Sequence, residues 1–177
     1  MPMEATGIPL EIERKYLIRM PDLRALSALP GCSVSEITQT YLPDPAPGAT
    51  ERIRLRRYSD RVEYTHTVKI RLSPVEARED ETRITEEEYR TLLSRRDPAL
   101  QTVTKTRIAF VLDGQSYEVD LYPFWSKVAV LETELSDPDR VSPIPPFLSL
   151  IREVTGERAY ANRALARRIP PEPETEI

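Results

Sequence analysis

The sequence holds one cysteine, Cys32, which excludes a disulfide within the chain and a thiolate metal centre. Its one histidine, His66, falls by strand parity on the face opposite Lys69, so packing or a surface role is expected of it. No uninterrupted apolar run approaches the roughly 18 residues of a membrane span, and no internal repeat is visible. The start MPMEATGIPLE lacks a basic n-region and an apolar h-region, so a cytoplasmic protein is expected. Nor is there a large excess of one charge. Lys and Arg number 25 against 29 Asp and Glu, a formal net charge of -4, which gives no general reason to bind nucleic acid or an anionic membrane. Any electrostatic function has to be local.

What is present is charge in abundance, 31% of residues, beside 40% hydrophobic residues in a chain of 177, a composition that predicts one soluble globular domain. Short β-rich runs dominate, separated by Pro- and Gly-marked loops such as LPDPAPGATE at 42–51. Asp113-Gly114 predicts a hairpin joining strands at 103–112 and 115–122. Helices are expected at 21–29, from Thr85 onward, where Thr85 and Glu88 stand in the capping-box relation, and within AYANRALARR at 159–168. The domain is expected at 10–169, with a flexible segment at 1–9 and a disordered Pro/Glu-rich tail at 170–177.

The charges follow a strand period. Extended chain sends alternate side chains to opposite faces, so in LEIERKYLI Glu11, Glu13 and Lys15 share one face and Leu10, Ile12, Tyr16 and Ile18 the other. The same alternation groups Arg52, Arg54 and Arg56 in ERIRLRR, and sets Lys69 with Thr65 and Thr67 in EYTHTVKI. It recurs for Glu79 and Glu81, Lys105 and Arg107, Glu118 and Asp120, and Glu132 and Glu134. Solvated faces mix signs without order, whereas each of these strands carries mostly one sign. A sheet that closes with these charges inside and its apolar face outside, under helices, resolves the pattern, and about eight strands leave room for one small ligand. The core would then lie outside the barrel. Unpaired ions in such a lumen cost several kcal/mol each, so it needs guests. Carboxylates suit Mg²⁺ or Mn²⁺ and the cations suit phosphate oxygens; a metal-bound polyphosphate supplies both.

The motif EIERK, followed in order by RLR, EDE, KTR, EVD, ETE and YANRALA, resembles the CYTH family, the triphosphate tunnel metalloenzymes, over residues 10–169. The resemblance implies a β-dominated α+β fold, an eight-stranded antiparallel closed tunnel with a charged lumen and peripheral helices. It also implies a metal-dependent enzyme that hydrolyses a triphosphate, most simply inorganic triphosphate, with two Mg²⁺ or Mn²⁺ ions. Thiamine triphosphatase, nucleoside triphosphatase and class IV-like adenylate cyclase are the enzymatic alternatives, and a polyphosphate- or nucleotide-binding module is the non-enzymatic one. The partner is a small-molecule triphosphate, not nucleic acid or membrane; nothing in the sequence fixes an oligomeric state. On the matching positions, Glu11, Glu13, Glu118, Asp120, Glu132 and Glu134 are the metal-facing carboxylates, with Glu79 and Glu81 secondary. Arg52, Arg54, Arg56, Lys69, Lys105 and Arg107 form the phosphate clamp. Lys15 and Glu13 are catalytic candidates, with Tyr41 as a hydrogen-bond partner of Lys15. Where the family commonly has a basic residue before the Tyr of an RYxN-like sequence, this chain has Ala159, so Arg158 is the expected substitute and Arg163 the alternative. Trp125 is read as a hydrophobic plug at a barrel end, and Cys32 as inert.

Overall fold

In β1 (Leu10–Arg19) the charged alternation survives as structure, with Ile12, Tyr16 and Ile18 buried on the outer face. A computed structural model describes residues 7–175. After β1 come α1 (Leu23–Ser27), β2 (Ser33–Leu42), β3 (Ala49–Arg57), β4 (Val62–Arg71) and β5 (Glu76–Ile84). Then follow α2 (Glu86–Leu93), β6 (Val103–Leu112), β7 (Gln115–Leu121), β8 (Val128–Glu134) and β9 (Leu150–Glu153), and the chain ends with a 3₁₀ turn at Arg158–Tyr160 and α3 (Asn162–Arg167). The strand order is β5-β4-β3-β2-β6-β7-β8-β1, and β1 pairs back to β5, Leu10 opposite Arg78 and Ile12 opposite Glu76. Every pairing is antiparallel, so the sheet closes into an eight-stranded barrel, with β9 added to an edge of β1.

Local chemistry sets the turns and caps. Asp113 and Gly114 both take positive φ, 50° and 77°, the backbone a two-residue hairpin needs between Leu112 and Gln115. The capping box of α2 is complete: the Thr85 hydroxyl accepts from Glu88 N at 3.1 Å and Glu88 accepts from Thr85 N at 2.7 Å. Asp22 caps α1 through the amides of Arg24 and Ala25.

Two apolar layers lie outside the barrel. Under α2, Tyr89 covers Leu42 and Ile53; under α1 and the 136–149 loop, Leu26 and Leu148 cover Ile18, Ile108, Phe110, Val119 and Leu131. The expectation that the whole core lies outside needs correction. A third cluster, with Leu17, Tyr41, Val103, Tyr122, Val128 and Val130, occupies lumen-facing positions. The reason is in the strands themselves: past Lys15, and before Lys105 and Glu132, the inward side chains change from charged to apolar, and that end of the barrel packs shut. Trp125 completes this plug, and α3 is docked on it by Leu165, Ala166 and a 2.6 Å bond from the Tyr122 hydroxyl to Asn162 Oδ1. His66 faces outward and meets Glu51 Oε1 at 2.8 Å.

Of the expected terminal segments, residues 1–6 and 176–177 lie outside the described residues. Arg78 donates to the Ile8 carbonyl, and Arg19 and the Lys127 amide donate to Thr175 O and to Glu172. Among the described residues no helix is long and apolar enough to cross a membrane.

Candidate active site

The lumen is a cavity of about 650 Å³. Its walls segregate by strand: β3 supplies Arg52, Arg54 and Arg56, β4 Lys69 and Arg71, and β6 Arg107, while β1 supplies Glu11 and Glu13, β5 Glu79 and Glu81, β7 Glu118 and β8 Glu132. Lys15 and Tyr41 line it too, with Arg158, Arg163 and Arg167 at the α3 end. The strands thus bring together all but three of the residues expected from sequence.

Those three are Lys105, Asp120 and Glu134. Glu134 has the right parity but ends β8, exposed and away from the cavity. Lys105 and Asp120 face inward but are sealed from the cavity next to Tyr122 of the plug, both side chains with no solvent exposure, joined at 2.6 Å. Asp120 also takes Arg107 in a fork, Nε at 2.7 Å and Nη2 at 2.9 Å, so both its oxygens are occupied by cations. Burial opposes the ionised Asp120, but Arg107 and Lys105 outweigh it and hold the carboxyl far below the usual range. Burial pulls Lys105 down to about 8, with Asp120 resisting. Both serve to fix Arg107, which extends to Glu118 at 2.7 Å and Glu132 at 3.3 Å.

The cations fall into two kinds. Arg52, Lys69, Lys15 and Arg107 each face a carboxylate: Arg52 on Glu79 at 3.3 Å, Lys69 on Glu11 at 3.0 Å and Glu79 at 3.5 Å, Lys15 on Glu132 at 3.3 Å. Arg54, Arg56, Arg71 and Arg158 have no carboxylate partner among the described residues. Arg54 is 9% exposed and its guanidinium rests on Gln39 Oε1 at 2.9 and 3.2 Å; burial, with Arg52 and Arg107 adding to it, pulls its pKa down to about 10. Arg56 donates to Ser35 Oγ at 2.9 Å. Tyr41 is held by Gln39 Nε2 at 2.7 Å, not by the expected Lys15, whose ammonium reaches the Tyr160 carbonyl at 3.4 Å. Arg163 is committed to Asp44 by two bonds, at 3.1 and 2.8 Å, which leaves Arg158 as the free cation beside Ala159. Gln39, Arg71 and Arg167 escaped sequence reasoning. Parity with Tyr41 and Lys69 marks the first two, and the i,i+4 spacing from Arg163 marks the third.

Among the described residues no three carboxylates or histidines stand together at metal-ligating spacing. The donors nevertheless suit a hard cation. Buried oxygens of Glu11, Glu79 and Glu132 accept no hydrogen bond although a lysine lies within 3.0 to 3.5 Å of each, off the hydrogen-bonding direction. Glu13 has no ion-pair partner at all among the described residues. Carboxylate oxygens with unused lone pairs, turned to one lumen, are hard-metal donors.

Their surroundings push Glu11 and Glu79 in opposite directions. Burial pushes Glu11 up to about 8, with Glu13 and Glu79 adding to it against Lys69. At Glu79 burial acts the same way but is outweighed by Arg52, the hydrogen bond from Glu11 and Lys69, which bring it down to about 2. From the unfolded carboxyl value of 4.5 to about 8 the folded protein holds an extra proton at Glu11, so stability falls as pH rises through that window. In metal-free buffer the Tm of the wild-type protein is expected to fall from about pH 5 to about pH 8 more steeply than that of Glu11→Gln. Parallel curves would mean that Glu11 holds no extra proton in the folded protein.

No family model matches the chain. It is 32% identical over 164 residues to a protein of Nitrosomonas europaea named inorganic triphosphatase, covering 90% of this chain and 99% of that one. A solved structure of an inorganic triphosphatase superposes with a TM-score of 0.54 at 30% identity, over 91% of this chain and 97% of the other. A Pyrococcus horikoshii protein shares the fold, with a TM-score of 0.56 at 22% identity over 73% and 80%.

Proposed function

Because the chain belongs to the inorganic triphosphatases of the triphosphate tunnel (CYTH) family, we propose that it hydrolyses inorganic triphosphate to pyrophosphate and orthophosphate in a divalent-metal-dependent reaction. The substrate assignment is carried by one observation: charged side chains dominate the cavity lining, and Tyr41, its sole aromatic among the described residues, is 3% exposed and hydrogen-bonded to Gln39. Discrimination for a base or a thiazolium needs contacts to that group, and the described lining offers no exposed aromatic to stack on it.

The division of labour follows from the pairing. Arg54 and Arg56, with no carboxylate to give up, take the phosphate oxygens first, and their planar forks fix the chain of phosphates along β3. Tyr41 acts through Gln39 as a positioning residue for Arg54. Arg107, already fixed by Asp120 and Glu118, offers preorganised positive charge where negative charge spreads over the transferred phosphoryl group. Lys15, between Glu132 and the Tyr160 carbonyl, holds a phosphoryl oxygen. Glu11, Glu13 and Glu132, with Glu118 behind them, would hold Mg²⁺ or Mn²⁺, which supplies charge neutralisation and acidifies a bound water. As water attacks the terminal phosphorus its proton passes to a lumen carboxylate oxygen left free of the cation, on Glu13 or its neighbours; the bond to the bridging oxygen breaks and pyrophosphate leaves. A cytoplasmic location belongs to the same reading.

Turnover of inorganic triphosphate, ATP and thiamine triphosphate at equal concentration, with Mg²⁺, with Mn²⁺ and with chelator, tests this. Inorganic triphosphate is expected to be at least tenfold faster than the others and to stop with chelator. Conversion of ATP to a cyclic product would establish a cyclase instead, and tight binding without turnover of any substrate would establish a binding module.

A further inference from the structure

The barrel wall has a seam. On one edge of β1, pairing to β5 ends at Ile12 and pairing to β9 begins at Tyr16. Between them the Glu13 amide reaches the Val75 carbonyl at 2.9 Å, and the Lys15 amide is met by a side chain, the Thr155 hydroxyl at 3.0 Å. The Lys15 carbonyl accepts from the Val154 amide at 2.9 Å, so single bonds from the residues flanking β5 and β9, not a continuous ladder, close this stretch. The loop before β5 and the loop after β9 close over it by touching at Pro74 and Gly156: a Cβ on Gly156, whose φ is +76°, would stand 2.7 Å from Pro74 Cβ. Under this contact lies a second cavity of about 310 Å³, and it shares Glu13, Lys15, Arg71 and Arg158 with the tunnel. The two spaces therefore meet at the residues placed at the reacting end.

The chemistry of this side cavity is anionic-ligand chemistry. Among the described residues Arg71 and Arg158 have no carboxylate partner, Arg71 donates only to the Pro74 carbonyl, at 3.3 Å, and the Arg158 guanidinium makes no hydrogen bond. Glu157, the other acid lining it, is committed to Arg152. Two guanidiniums without carboxylate partners among the described residues suit a small tetrahedral oxyanion; the Ser73 and Thr155 hydroxyls beside them already donate to Glu76 and Glu153.

We propose that this side cavity is a lateral orthophosphate subsite, the port by which the released phosphate leaves while pyrophosphate still occupies the tunnel. The proposal rests on the hydrolase reading above. A single door would oblige the two products, both anions gripped by the same clamp, to leave in series; a seam beside Glu13 and Lys15 gives the smaller one its own path.

The test fills the tunnel first. Wild-type protein saturated with Mg²⁺ and non-hydrolysable imidotriphosphate is titrated with orthophosphate by calorimetry and ³¹P NMR. Orthophosphate is expected to bind the loaded protein, and Arg71→Gln to weaken that binding at least tenfold. Because Arg71 also braces the Pro74 loop, Arg158→Gln, which breaks no hydrogen bond of the described residues, is the second variant and is expected to do the same. In steady state, orthophosphate is expected to inhibit without competing with triphosphate. Exclusion of orthophosphate from the loaded protein, unchanged affinity in both variants, or purely competitive inhibition overturns the port. Absence of triphosphate turnover in the wild type counts against the hydrolase reading, whereas a protein that turns over but binds no orthophosphate when loaded counts against the port alone.

Discussion

Asp120→Asn is expected to lower the unfolding free energy by about 3 to 5 kcal/mol, because it removes the carboxylate in direct contact with Lys105, leaving the more distant Glu132, and takes two of the bonds that anchor Arg107. Lys105 and Asp120 have no solvent exposure, so no water screens the stranded ammonium. Its pKa, already held near 8 by burial, falls further, and the variant is expected to regain stability as pH rises and Lys105 sheds its proton. Pairing Asp120→Asn with Lys105→Met should recover at least half of the loss, since a buried ion replaced with an apolar group of similar volume is well tolerated. Urea unfolding of the two single variants and the double variant measures the coupling. A loss below about 1 kcal/mol in Asp120→Asn would mean that the cluster does not hold the wall.

The placement of Asp120 shows what a strand period reveals and what it conceals. Parity assigned the inward face of each strand, and Glu11, Glu13, Arg52, Arg54, Lys69, Glu79 and Glu132 all border the cavity. Parity has no information about depth along the barrel axis. Lys105, Asp120 and Glu134 share a face with cavity residues, yet the first two lie deeper, sealed next to the plug, and the last at the exposed end of β8. Nor does parity say which inward charges neutralise one another. That depends on register across strands, such as Lys15 opposite Glu132 and Arg107 opposite Asp120, which no single strand encodes. The interior plug was legible in principle, because Leu17, Val103 and Val130 continue the inward sets of their strands as apolar residues. The seam at Glu13–Lys15 was not: it arises where β1 changes neighbours, a property of the closed sheet.

Register also decides which cation matters most to binding. Arg52, Lys69 and Lys15 bring carboxylates with them, so a triphosphate that engages them has to displace an existing partner and the net gain is small. Arg54 is different. It is buried, its hydrogen bonds among the described residues go to the neutral Gln39 amide, and burial with Arg52 and Arg107 depresses its pKa, so the protein holds this charge at a cost. An anionic ligand recovers that cost, which makes Arg54 the strongest attractor in the lumen. Arg54→Met is therefore expected to weaken binding of Mg²⁺-imidotriphosphate by about 2 to 5 kcal/mol, roughly 30-fold to several thousandfold in Kd. The unfolding free energy of the ligand-free variant is expected to stay within about 1 kcal/mol of wild type or to exceed it, because loss of the buried charge offsets the unpaired Gln39 carbonyl. Calorimetric titration beside urea unfolding reads the two quantities on one preparation. Lost affinity with unchanged or increased stability is the signature of a charge kept for its ligand; a variant that lost both to the same degree would make Arg54 a structural residue of the barrel instead.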